Sequence, residues 1–362
     1  MIGRITYMEL RTGLKGLLIF SLLIIIVSVG MPLILPAYRD SLTEDLEGAN
    51  KVNLELPTEE GGMIVLSWEP LETASNYLVL EDNRSSMVTA TIKYVGEETS
   101  ITFEKDFEEK RYYAVMGEST ETADSVLIGI AATEKGEDPF QGLIQNPAYA
   151  GFTRGRNVSM LEVKGFLTFE FFGFWWMLAG LFIAYLSVSV IASDFENKRM
   201  DVMLSTPISR RRYLLEKFSA MSVIAVFIIL VAIVGLTGGL ANINELHEFS
   251  AETVFLSLIG CLPFLMVISA FGMLTAVIFQ KVRVGMGITF GFVFAEYFLY
   301  TFGNFSKSLE WMKTVSIFNY WDYLSVIFDN LFKAADFVIL AAVAIVIIII
   351  SIWVFQKKDI PT

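Results

Sequence analysis

Six apolar runs, each close to the length needed to cross a bilayer, govern what this chain can become. They occupy 16–35, 166–192, 218–240, 254–279, 285–302 and 334–355 of a 362-residue sequence. Hydrocarbon offers no water to peptide N–H and C=O groups, so a spanning run of roughly 20 residues must close its hydrogen bonds within itself, as an α-helix does. The expected fold class is therefore an α-helical polytopic membrane protein with six transmembrane helices. Composition agrees, since 54% of the residues are apolar against roughly 45–50% in soluble chains.

The first run has a rival reading as a secretory signal peptide. Such a peptide has an apolar core of only about 7–15 residues followed by a small-x-small cleavage site. Residues 16–35 are longer, and the LILPAYRD that closes them is no such site, so an uncleaved span is expected. Ahead of it, Arg4, Arg11 and Lys15 alternate with Ile5, Met8 and Leu14, a pattern that suits the membrane interface.

Loop charges then set an orientation. Short loops rich in Lys and Arg stay cytoplasmic. The segment 194–217 holds Lys198, Arg199, Arg210, Arg211, Arg212 and Lys217, the loop after the fourth run holds Lys281 and Arg283, and the C-terminus holds Lys357 and Lys358. The intervening NINELHEFSAE has no Lys or Arg. Both termini and the 194–217 segment are thus expected inside the cell, at the plasma membrane. Within that segment Ser205, Thr206 and Pro207 predict a break, because Pro lacks an amide proton, and Ser209 is placed to cap a new helix starting at the arginines. A short surface helix with Met200, Val202, Met203 and Leu204 as its apolar side precedes the break. Taken alone, the segment reads equally as a charged turn anchoring two spans or as a docking element for a cytoplasmic partner.

Glu196 near the end of a span, followed by RMDVMLSTPISRRRYLLEK and another span, closely resembles the ABC-2 type permease family. The resemblance extends to the first span, the six-span count and the ending VFQKKDIPT, about two thirds of the chain. It implies that the loop is a coupling helix seated in a cleft of a separate nucleotide-binding ATPase subunit, with Glu196, Arg199, Met203, Leu204, Pro207, Arg210 and Arg211 as coupling residues. It further implies that ATP and magnesium bind that partner, that permeases pair as a homodimer or with a related second permease, and that 303–333 forms an outer re-entrant segment.

Between the first two spans the character changes. Acidic residues dominate, and seven short runs rich in β-branched and aromatic residues follow one another: VNLEL, MIVLSW, YLVLE, VTATIKYV, SITFE, YYAVMG and SVLIGIAAT. This pattern predicts half-buried strands of an all-β sandwich over 37–136, extracytoplasmic by the orientation above, with an irregular linker at 137–165. The succession LSWEPLETASNYLVL, SITFE and RYYAVMG resembles the fibronectin type III fold, which implies Trp68 and Tyr77 in the core on the second and third strands and Tyr112 or Tyr113 on the sixth. Asn83, Asn157 and Asn304 begin N-x-S tripeptides on the side expected to face out.

Several function classes are excluded on composition. A formal net charge of −12 argues against nucleic acid as a partner, since phosphate binding needs clustered Lys and Arg. A single Cys, Cys261, and a single His, His247, leave no cysteine or histidine metal set, no disulfide and no Ser-His-Asp constellation on the sandwich. No G-x-x-x-x-G-K-[ST] phosphate loop occurs, so uphill transport must draw its energy from a separate ATPase or an ion gradient. No cofactor is expected in this chain, and enzymatic activity is expected on the partner. Glu296 is the acidic residue well inside a span, a candidate for the translocation path by default, with pairing to an outer-loop Lys as its structural alternative. Gly287 and Gly291 form a G-x-x-x-G expected to permit close helix packing. The expected function is the permease subunit of an ATP-driven exporter. The alternatives are a membrane-anchored receptor or adhesion protein using the sandwich, and a gradient-driven carrier.

Overall fold

The computed structural model describes residues 3–49, 52–55, 63–71, 74–82, 90–104, 111–119, 125–132, 156, 158, 160, 162–200, 208–304 and 307–358. The chain divides into two compact units, Pro36–Gln145 on the one hand and Met1–Leu35 with Asn146–Thr362 on the other.

The smaller unit contains a β-sandwich. Its strands are β1 (Val52–Glu55), β2 (Met63–Trp68), β3 (Ala74–Asp82), β4 (Thr91–Gly96), β5 (Ser100–Glu104), β6 (Tyr112–Ser119) and β7 (Ser125–Ala132). Each of the seven sequence runs is a strand. They form two antiparallel sheets with orders β1-β2-β5 and β4-β3-β6-β7. Alternate residues point inward, as the period of two demands: in β2, Ile64, Leu66 and Trp68 are buried while Met63 is exposed. Trp68 on β2 meets Tyr77 on β3 edge-on with ring centroids 5.7 Å apart, inside a core that includes Leu66, Val79, Tyr113 and Val115. The Tyr77 hydroxyl accepts from the Leu71 amide at 3.0 Å. The three strand positions expected for Trp68, Tyr77 and the Tyr112–Tyr113 pair are thus occupied as the resemblance implied.

The larger unit is helical. Six helices among the described residues are long and apolar enough to cross a membrane. The first, α1 (Arg4–Ala49), is one continuous helix, with no break between the residues before Lys15 and the apolar run that follows. Next come α2 (Val163–Glu196), α3 (Arg210–Asn242), α4 (Ala251–Phe279), α5 (Val282–Gly303) and, after two short helices, the last span. The short helices are α6 (Glu310–Val315) and α7 (Tyr323–Asp329); the last span is α8 (Ala334–Lys357).

Helix α4 is interrupted where Ile259 ends one piece and Leu262 begins the next, with Pro263 in the first turn of the second. Proline is tolerated there because the amide it lacks would be unpaired in any case. The break diverts the Cys261 amide to Leu258 O, and the Trp321 indole donates to Ser257 O at 3.2 Å. The segment carrying Trp321 is thereby pinned to the broken helix.

Close packing falls on glycines other than those expected. A methyl built on Gly287 or Gly291 would meet nothing within 4 Å, so that G-x-x-x-G packs against no other element among the described residues. Gly235 and Gly239 on α3 do the work instead: a methyl on the first would stand 2.8 Å from Ser28 Cβ, and on the second 2.9 Å from Val29 O. The pair lets α1 approach α3 backbone to backbone, the usual device where no hydrophobic effect drives helices together in lipid. Similarly, Gly285 on α5 admits Val188 of α2, and the Thr275 and Thr289 hydroxyls bond across α4 and α5 at 2.9 Å.

Candidate functional site

The ends of α2 and α3 that flank the basic segment gather bonds from α1, α5 and the end of α8. Helix α2 stops at Glu196, with Lys198 in the left-handed conformation (φ 55°). Helical backbone resumes at Arg199 and Met200. Ser209 in extended conformation accepts from the Arg212 amide at 3.3 Å and starts α3, the cap expected from the sequence. Of the expected coupling residues, Met203, Leu204 and Pro207 lie outside the described residues, as does the middle of the expected surface helix.

The centre of the arrangement is Lys217, about two turns into α3 and fully buried. An ammonium has three N–H donors, and Lys217 Nζ has three acceptors: Glu9 Oε1 at 2.5 Å from α1, and Asp194 Oδ2 and Val190 O, both at 2.8 Å, from α2. Tyr213 donates to the same Asp194 oxygen at 2.7 Å. Arg199, mostly exposed, stands 3.9 Å from the other. The residue preceding Lys217, Glu216, accepts from the Ile5 amide at 2.9 Å and from Arg212 Nε at 2.8 Å. It thereby caps the N-terminus of α1, where amides have no helical partner.

Glu196 and Arg210 complete the pattern. Glu196 Oε1 accepts from the Val282 amide at 3.0 Å, at the start of α5. Arg210 donates to Phe355 O at 2.8 Å, Gln356 O at 3.3 Å and Lys358 O at 2.7 Å, which satisfies the orphan carbonyls ending α8, and its guanidinium lies 5.6 Å over the Phe355 ring. Lys358 in turn donates to Ile278 O at the end of α4. Arg211 is exposed. Side chains at the ends of one segment therefore hold helix ends of α1, α5 and α8 as well as α2 and α3, and Lys358 after α8 holds the end of α4. The arrangement has no nucleophile paired with a base. Its bonds join the ends of separate helices to one another.

Sequence reasoning found Glu196 and Arg210 but not the buried group of Glu9, Asp194, Tyr213, Glu216 and Lys217. A signal was present: Asp194 and Lys217 are the two ends of the segment, each bordering an apolar run, and Glu9 is an acid among Arg4, Arg11 and Lys15.

Glu296 lies elsewhere, on α5. Its carboxylate accepts from the Ile317 amide at 3.0 Å and its carbonyl from the Ser316 hydroxyl at 2.7 Å. Its partner is thus backbone of the segment between α6 and α7, where the expectation had placed an outer-loop Lys. That segment packs through aromatic rings: Trp176 stacks on Tyr297 with centroids 4.6 Å apart, and Phe318 meets Trp176 and Phe264 at 5.4 and 4.9 Å.

A family model described as ABC-2 family transporter protein matches residues 7–360. No curated protein and no solved structure matches the chain.

Proposed function

Because the chain belongs to the ABC-2 transporter family and is a multi-pass membrane protein, we propose that it is the permease subunit of an ATP-driven exporter, moved by a separate nucleotide-binding subunit docked on 194–217. The observation that carries this reading is the convergence of helix ends on that segment's flanks through Glu196, Arg210, Glu216 and Lys217. A displacement applied between α2 and α3 would reach α1 through Lys217 and Glu216, α5 through Glu196, and α8 and α4 through Arg210 and Lys358. The basic residues of the segment favour a cytoplasmic position for it, with both termini on the same side and the β-sandwich opposite. ATP and magnesium belong to the partner, and a second copy or a related permease completes the assembly.

The test is purification of the full chain from its native membrane, with the accompanying proteins identified. An ATPase subunit is expected. Arg211, exposed and outside the inter-helix bonds, separates docking from folding: Arg211→Glu should abolish ATPase stimulation while membrane insertion stays intact. ATPase association and activity unchanged in that variant, or protease mapping of 194–217 to the exterior, would overturn the reading.

A further inference from the structure

A cavity of about 640 Å³ lies between α1 and α2, remote from the coupling segment. Its walls include Val27 and Met31 of α1 and Phe171, Trp175 and Leu178 of α2, with one carboxylate, Glu170. Phe20 and Phe182, stacked with centroids 3.5 Å apart, bridge the two helices at one end of it. The volume falls within the roughly 300–1,000 Å³ of small-molecule sites, and an apolar lining with a single convergent polar group is the composition such sites have.

Two observations mark Glu170 as more than a wall. No hydrogen bond or ion pair reaches its side chain from another described residue, although it is half-buried. The helix that carries it also departs from α geometry, widening into π turns at Thr168–Phe172 and again at Trp176–Gly180. Such turns are rare and concentrate at functional sites.

Position adds a constraint. Asp194 follows Glu170 by 24 residues in the same span, about 36 Å at the helical rise. A hydrocarbon core is about 30 Å thick, so with Asp194 at one margin Glu170 stands at the other, level with lipid headgroups. A carboxylate at that level, with no partner among the described residues, attracts a cationic head and repels an anionic one. Anionic amphiphiles are thereby disfavoured, and neutral ones leave the charge unanswered.

We propose that the cavity between α1 and α2 is a binding site for an amphiphile with a cationic ammonium head and a single apolar tail, the head paired with Glu170 and the tail lying along Val27, Met31 and Leu178. The stacked rings of Phe171 and Trp175, 5.4 Å apart, offer the ammonium an aromatic face beside the carboxylate. Binding there requires no motor subunit, so the site stands whether or not the coupling reading does.

The test uses the full chain in lipid nanodiscs titrated with dodecyltrimethylammonium, followed by intrinsic tryptophan fluorescence. Saturable binding is expected, with Glu170→Gln weakening it about tenfold or more, the effect of losing one charged partner. Dodecyl sulfate, with the same tail and the opposite head, should bind more weakly and should gain affinity in Glu170→Gln, which removes a like charge. Val27→Trp, which fills the cavity from α1, should weaken the cation independently of the carboxylate. Repeating the titration in phosphatidylethanolamine and phosphatidylglycerol discs separates sources: competition by the ethanolamine lipid identifies a membrane headgroup as the occupant, and its absence a soluble amphiphile. Equal binding of the two dodecyl compounds, unchanged cation binding in Glu170→Gln, or unchanged binding in Val27→Trp would overturn the proposal.

Discussion

The ammonium of Lys217 stands 2.8 Å from the carboxylate of Asp194, with the lysine wholly out of water and the aspartate nearly so. Glu9 takes a second N–H of the same ammonium, so one cation serves two acids on two other helices. Desolvating charges is repaid only when geometry and hydrogen bonding are complete, and here every ammonium proton has an acceptor.

Removing the cation should therefore cost more than removing a surface charge. Lys217→Met leaves Glu9 and Asp194 facing each other with only the mostly exposed Arg199, 3.9 Å from Asp194, as counter-charge, and about 3–5 kcal/mol of stability is expected to go with it. Denaturant unfolding in detergent measures this. Adding Asp194→Asn to Lys217→Met should restore part of the loss; a double variant no better than the single would show that the unpaired acid is not the cause.

Arg210 ties α8 by its carbonyls rather than by a carboxylate, so its loss should act locally. Arg210→Gln is expected to cost about 1.5–3 kcal/mol, the range for hydrogen bonds to a charged group, and to accelerate amide hydrogen exchange in the last turn of α8. Exchange in that turn equal to wild type would mean that the cap does not hold it.

The two G-x-x-x-G pairs make opposite predictions. Gly239→Val forces a side chain against Val29 O and Pro32 and should destabilise the α1–α3 contact by about 1–3 kcal/mol, as overpacking does. Gly287→Val meets nothing among the described residues and should leave the stability of the isolated subunit within about 0.5 kcal/mol. Paired thermal melts of the two variants decide it, and a Gly287→Val subunit as unstable as Gly239→Val would contradict the packing described.

Glu296 holds the Ile317 amide through an acceptor oxygen, which an amide side chain also possesses. Glu296→Gln should therefore preserve the 316–320 segment, whereas Glu296→Ala should loosen it by about 1–3 kcal/mol through an unsatisfied buried donor. Hydrogen exchange at Ile317 distinguishes the two. Transport lost in the Gln variant with Ile317 still protected would assign the carboxyl group a role beyond holding this segment.

Much of the architecture was legible because it is written locally. Lipid compels each apolar run to close its own hydrogen bonds, and alternation in MIVLSW or YYAVMG forces a half-buried strand wherever it occurs. The Ser209 cap is equally local, three residues from the amide it holds. The polar partners were not legible. Glu9 and Lys217 are 208 residues apart, and Arg210 reaches Phe355 O across 145. Nothing within a helical turn of any of them names the other.

The sequence by itself determined how many apolar helices are long enough to cross, where the strands of the sandwich fall and where α3 starts, because each follows from the period of hydrophobicity and from the capping chemistry of Ser209. Only the tertiary structure decided which glycines meet another backbone, which acids share Lys217 and what Glu296 holds. Those choices depend on which faces of distant helices come together, and helix faces that look alike in lipid are told apart only by the shape and charge of the neighbour they meet.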